Sequence, residues 1–335
     1  MSAPLPVSYI SLKHKPNAKL AYTFVTAKAS PETSSSTTQP LLVFLTGLGL
    51  PAVFYHPVIS RLSEQPVHPA FLTYDRYGQG ASTDRDPLDA DAEDPKHGHT
   101  VTDVVADLNV LIETISEAQG IQQNGKAPPV FFVANSIGCA IARVYAATFP
   151  NTVIGLLLLD SVVANTDFVS VYPDPDSFSA DEVLPEGVTL DGLRTSRART
   201  QMIFHPSQGS AEGLSRKNLK DLLPNADEPR LVWSDGDEGG ADNLGKGPWV
   251  TVVGHGYDKF AEDGFKGMGI PVAETKAYVN PHWNTYNIGL TKITSQERSR
   301  GPIIAEKAGH FIQKDDPDFV VEEINALLKK IIGPQ

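Results

Sequence analysis

The stretch Val130-Phe-Phe-Val-Ala-Asn-Ser-Ile-Gly-Cys-Ala-Ile-Ala-Arg-Val-Tyr145 decides how this chain folds. It opens with a continuous apolar run, the pattern of a strand buried on both faces. It closes with small and apolar residues of helical character. Ser136 lies at the junction, with Ala134 and Gly138 two positions to either side. A strand can pass at once into a helix only where such neighbours are small, and the serine side chain then stands above the sheet. The helix N-terminus behind it offers free N–H groups and a field that favours negative charge. A serine in this place is either a helix cap or a nucleophile.

The same strand character recurs on both sides of this junction. Residues 41–45, 70–74, 153–159, 249–253 and 302–305 read as buried strands. Helical stretches fall between them. The clearest is 100–119, where Val101, Val104, Val105, Leu108, Leu111, Ile112 and Ile115 mark one face at 3.6 spacing. Strands alternating with helices imply a mostly parallel sheet covered on both faces. The N-terminal stretch reads as a hairpin of 7–12 and 19–26 that turns at Lys15-Pro16-Asn17, and the Ser/Thr-rich segment 29–40 reads as a loop. Residues 161–247 break the alternation. They hold more chain than a crossover needs, are rich in Pro, Asp, Gly and Ser, and show helical patches near 190–204 and 211–223. The expected organisation is a core domain of 1–160 and 248–335 with a cap inserted at 161–247.

Composition narrows the class of function. The chain has 335 residues, of which 41% are apolar and 20% charged, a globular balance. Its net charge of −12 makes nucleic acid and anionic lipid poor partners. The single cysteine, Cys139, excludes an internal disulfide and a cysteine-based zinc site, and reads as a buried filler. No secretory signal and no apolar run long enough for a membrane span is visible, so a cytoplasmic protein is expected. No cofactor or metal is expected. The expected partner is a small-molecule substrate, and a homodimer is left open.

Three further motifs carry chemistry. In Leu41-Leu-Val-Phe-Leu-Thr-Gly-Leu-Gly49 a buried strand ends in a glycine-rich turn, where the Leu48 N–H could share an oxyanion with that of Ile137. In Tyr74-Asp-Arg-Tyr-Gly-Gln-Gly-Ala-Ser82, Asp75 and Arg76 read as pins of a buried loop. Among nine histidines only His310, in Ala308-Gly-His-Phe311, lies in a loop after the last strand, where a base would complete the chain order Ser…acid…His. Two residues can supply the acid. Asp160 ends the strand after the Ser136 helix, and Asp258 follows the next strand in Val253-Gly-His-Gly-Tyr-Asp258.

These four motifs, in this order, resemble the α/β-hydrolase superfamily over nearly the whole chain apart from the cap. The sequence is most similar to fungal members of that superfamily. The resemblance implies an α/β-hydrolase fold, a mostly parallel eight-stranded sheet flanked by helices. It implies Ser136 as nucleophile, His310 as base, and Leu48 with Ile137 as oxyanion donors. Most members would place the acid near Asp258, while lactone-opening and dehalogenating relatives place it where Asp160 stands. Asp160 is preferred. The superfamily's dehalogenases and epoxide hydrolases use an aspartate nucleophile, which Ser136 argues against. The expected reaction is hydrolysis of an ester, lactone or thioester through an acyl-enzyme. The rivals are a lyase, C–C bond hydrolase or acyltransferase on the same triad, or a non-catalytic ligand-binding protein. Phe168, Tyr172, Phe204 and Trp283 are the candidate substrate contacts.

Overall fold

The computed structural model describes residues 5–29, 39–179, 181–232 and 246–333. Most of the 29–40 loop and the end of the insertion lie outside them. Eight strands form one sheet: β1 (Ser8–Leu12), β2 (Lys15–Val25), β3 (Leu41–Leu45), β4 (Ala70–Tyr74), β5 (Val130–Ser136), β6 (Val153–Ser161), β7 (Trp249–His255) and β8 (Ser299–Ala305). Their spatial order is β1-β2-β4-β3-β5-β6-β7-β8. Only β2 runs antiparallel, to both its neighbours, and the six strands from β4 to β8 run parallel.

The strand signature follows from burial on two faces. All five residues of β3 and of β4 are buried. On β3, Leu41, Val43 and Leu45 enter one apolar core, and Leu42 and Phe44 enter the other. The period-two alternation of a strand therefore reads as an unbroken apolar run. The first core is covered by α2 (Val101–Ala118) and α3 (Ile137–Thr148), the second by α1 (His56–Ser63) and α7 (Pro317–Ile332). Helix α2 starts at a capping box, in which Thr100 and Asp103 exchange side-chain-to-backbone bonds. Its apolar face is the one its sequence spacing predicts. Among the described residues no helix is long and apolar enough to cross a membrane.

The structure differs from the sequence expectation in two places. The N-terminal hairpin turns at Lys13-His14, with Leu12 opposite Lys15, so β2 already begins where a turn was expected. The cause is long-range. The Lys15 ammonium is buried and donates to Asp86 at 2.6 Å and Asp107 at 2.7 Å, which fixes Lys15 inside the strand. In the insertion, α4 (Leu190–Ile203) forms as expected, but in 211–223 only Leu219–Leu222 is helical. Leu214–Ser215 is instead extended and pairs in parallel with His99–Thr100, just before α2. This part of the chain shares a third, smaller apolar cluster with the segment after β7, in which Tyr172, Val188 and Leu193 pack with Ile270.

Candidate active site

All the residues singled out for chemistry belong to turns at the carboxyl ends of parallel strands, where an open α/β sheet places its ligands. Ser136 closes β5 and has φ 57° and ψ −124°. These angles suit glycine rather than an L-residue, so the turn holds strain of about 1–3 kcal/mol. Two glycines make the turn sterically possible. A Cβ on Gly138 would lie 2.4 Å from the Leu45 carbonyl oxygen, so only glycine lets α3 approach β3. A Cβ on Gly47 would lie 3.2 Å from the Ser136 Cβ. Cys139 is buried, and its thiol donates to the Ala134 carbonyl at 3.1 Å. Burial pushes that thiol's pKa up.

His310 follows β8, and its Nδ1 lies 2.5 Å from Asp160 Oδ2. A carboxylate only accepts, so Nδ1 carries a proton, and in the neutral ring the lone pair is on Nε2. Asp160 is fully buried at the end of β6, itself at positive φ (44°). Burial alone would raise its pKa, but the two histidines on its oxygens outweigh this and hold it near 2. The second is His255, the last residue of β7, whose Nδ1 lies 2.8 Å from Asp160 Oδ1. Asp258 has no part in this cluster. It sits in the first turn of α5 (Tyr257–Met268), with its side chain 80% exposed and 2.7 Å from the Lys276 ammonium. The chain leaves β7 through Gly256 into α5, and that turn carries Asp258 outward.

Asn135, next to Ser136, ties these loops together. Its amide donates to the carbonyls of Leu159 at 3.0 Å and His310 at 2.9 Å, and accepts from Gln313 at 3.1 Å. Sequence reading missed this residue because its partners lie far along the chain.

The turn after β3 is held just as firmly. Arg76 donates to the carbonyls of Thr46 at 3.0 Å and Gly47 at 2.8 Å, and Gln79 adds a bond to Gly47 at 3.1 Å. The charge partner of Arg76 is Glu212, from the insertion, at 3.0 and 3.1 Å. Glu212 also accepts from the Gly49 N–H at 3.1 Å. Asp75 accepts from the N–H groups of Ala52 at 2.6 Å and Ala81 at 2.8 Å, the pinning role expected of it. The Leu48 N–H has no acceptor among the described residues. Ile137 opens α3, so its N–H has no carbonyl of its own helix to bond.

A cavity of about 410 Å³ adjoins His310. Its wall contains all four expected contacts, Phe168, Tyr172, Phe204 and Trp283, together with Phe260 and Phe311, which were not singled out. Trp283 lies on α6 (Asn280–Leu290) and donates from its ring to the Ser161 carbonyl at 2.8 Å. Its indole meets the His310 ring edge-to-face, at 5.6 Å between centroids.

A sheet of this order, with a serine at a strained strand-to-helix turn and a histidine in the loop after the last strand, defines an α/β-hydrolase. The family model described as the alpha/beta hydrolase family matches residues 42–323, and the chain belongs to that family. No curated protein matches it in sequence. Solved structures share the fold at low identity. A soluble variant of monoglyceride lipase from Saccharomyces cerevisiae is 14% identical with a TM-score of 0.56, covering 100% of this chain and 97% of its own. A haloalkane dehalogenase variant from Bradyrhizobium elkanii is 16% identical (TM-score 0.52), covering 98% and 97%. The enol-lactonase from Burkholderia xenovorans is 17% identical (TM-score 0.50), covering 96% and 100%.

Proposed function

We propose that this chain is a serine hydrolase that cleaves an ester, lactone or thioester of a small apolar molecule through an acyl-enzyme on Ser136. The observation that carries this reading is the 2.5 Å contact of His310 with the buried Asp160, in a loop that Asn135 ties to the Ser136 turn. His310 Nε2 takes the Ser136 proton as Oγ attacks the carbonyl carbon. Asp160 fixes the tautomer and stabilises the imidazolium that forms. The N–H groups of Leu48 and Ile137 receive the oxyanion, and one such donor is worth about 10²–10³ in rate. His310 then returns the proton to the leaving group, and water attacks the acyl-enzyme by the same route.

The substrate class rests on the cavity. Its wall is mostly aromatic and aliphatic, so an apolar acyl or alcohol portion gains burial there at about 25 cal/mol per Å². Segment 161–247 acts as the roof, since it supplies Phe168, Tyr172 and Phe204. The lipase and lactonase among the structural relatives are named for substrates of this bond type.

A serine-directed phosphonate, read out by intact mass and peptide mapping, tests the nucleophile. The expected result is one adduct, on Ser136, which does not form on protein unfolded beforehand or on Ser136→Ala. Folded protein that stays unlabelled, or carries the adduct elsewhere, overturns the reading. A panel of chromogenic esters and lactones of increasing chain length then tests the apolar cavity.

A further inference from the structure

His255 is the last residue of β7 and is buried. Both of its ring nitrogens face acceptors. Nδ1 meets Asp160 Oδ1 at 2.8 Å, and Nε2 meets Asn280 Oδ1 at 3.1 Å. The Asn280 amide is oriented independently, because its Nδ2 donates to the Tyr257 carbonyl at 3.2 Å. Its oxygen must therefore face the ring. A neutral imidazole has one donor and would leave one buried acceptor opposite a lone pair, whereas an imidazolium satisfies both. The rest of the pocket suits a cation. The ring stacks on Phe260 at 3.8 Å between centroids, with planes 15° apart, and the Trp283 ring stands against it at 5.4 Å. Burial works to lower the His255 pKa, yet Asp160 and Asn280 together raise it.

We propose that His255 is a positioning residue that remains an imidazolium at neutral pH, clamping Asp160 from the side opposite His310 and sharing its charge, so that His310 acts as a base at lower pH than beside an unshared carboxylate. Asp160 places one oxygen on each histidine, 2.5 Å from His310 and 2.8 Å from His255. With His255 cationic, His310 faces a nearly neutral pair and a second positive charge beyond it. Without that cation, His310 faces a full negative charge and holds its proton more strongly. The groups facing His255 are Asp160 from β6, Tyr257 and Phe260 from α5, Asn280 and Trp283 from α6, and His310 across the carboxylate. Asp160 is the carboxylate among them. Asp263, on the cavity wall near His310, is already bound by the Lys259 ammonium.

This inference rests on the Ser136–His310–Asp160 reading, and its first test is independent of it. Histidine ¹⁵N shifts of the full chain, with His255 assigned from the spectrum of His255→Asn, report its protonation directly. At about pH 7.5 both ring nitrogens of His255 are expected to carry a proton, against an ordinary histidine value of about 6.5. A singly protonated, neutral ring overturns the proposal, whether or not Ser136 reacts. The second test is the pH dependence of phosphonate labelling at Ser136. His255→Asn keeps a donor toward Asp160 but removes the charge. Its acidic limb is expected to move up by about one pH unit, with the alkaline plateau within about threefold of the parent. A rate lowered equally at every pH, with the limb unmoved, means a purely structural role and refutes the charge argument. Absence of labelling in the parent at every pH instead fails the hydrolase reading and leaves the NMR result standing. If His255→Asn does not fold, the NMR of the parent decides, with assignment from Asn280→Asp.

Discussion

Replacing Asp160 with asparagine separates the two candidate acids most sharply. The substitution keeps shape and removes charge from a fully buried group that bonds two imidazoles, at 2.5 and 2.8 Å. The new amide can present its oxygen to only one of them. If its oxygen faces His310, the tautomer survives, but the imidazolium formed during catalysis loses its ionic partner. Loss of that buried charge partner, about 3 kcal/mol, corresponds to roughly a 10²-fold loss. If its NH2 faces His310, the ring proton moves to Nε2 and the base is blocked, a loss of about 10⁴-fold. The expected loss in phosphonate labelling of Ser136 thus lies between about 10² and 10⁴. Asp258→Asn is the internal control. It removes one exposed ion pair with Lys276, worth about 0–1 kcal/mol, and should leave the labelling rate within about twofold. Labelling rates are read with thermal melts, so that misfolding is not mistaken for lost chemistry. An Asp160→Asn protein that melts normally and labels within tenfold of the parent would refute the reasoning, as would an Asp258→Asn protein with an equal loss.

Glu212→Gln strips the buried Arg76 of its counter-charge and should cost about 3–5 kcal/mol in a urea melt, far more than an exposed glutamate would. Ser136→Gly should abolish labelling yet raise the melting temperature by about 2 °C, since relief of the positive-φ strain exceeds the added chain entropy of glycine; an unchanged or lower melting temperature would show the turn to be unstrained. The Asp160 cluster should also imprint the pH–stability curve. Asp160 titrates near 2 in the fold, below its ordinary 3.8, so its contribution of about 2 kcal/mol is complete above about pH 4 and vanishes as pH falls through 2. His255 titrates higher in the fold than unfolded, so its contribution is complete below about 6.5 and is lost as pH rises through its raised value. Urea melts between about pH 2 and 9 should therefore show a plateau from roughly 4 to 6.5, and Asp160→Asn should flatten the acid side.

The difference between what the sequence discloses and what it hides is a difference of range. The strands from β3 to β7 were legible because burial on both faces writes itself into consecutive residues, and the Ser136 turn because its small neighbours lie within two positions. The partners of Lys15, Asn135 and Asp160 are instead set by where distant segments end in space. The different placement of Asp160 and Asp258 turns on the path of a single turn after β7, which carries Asp258 to solvent and leaves His255 facing inward. The turn after β3 shows the same limit at its strongest. A trans peptide points its C=O and N–H in opposite directions. Arg76 and Gln79 both donate to the Gly47 carbonyl, so they also set the direction of the Leu48 N–H, the proposed oxyanion donor. Arg76 is in turn held by Glu212, 136 residues away in the insertion. Through Glu212 the chain between β6 and β7 thereby bears on the orientation of one backbone amide near Ser136. No local pattern around Thr46-Gly47-Leu48-Gly49 could disclose that coupling, because its charged half, Glu212, lies far along the chain in a stretch that reads as a helical patch.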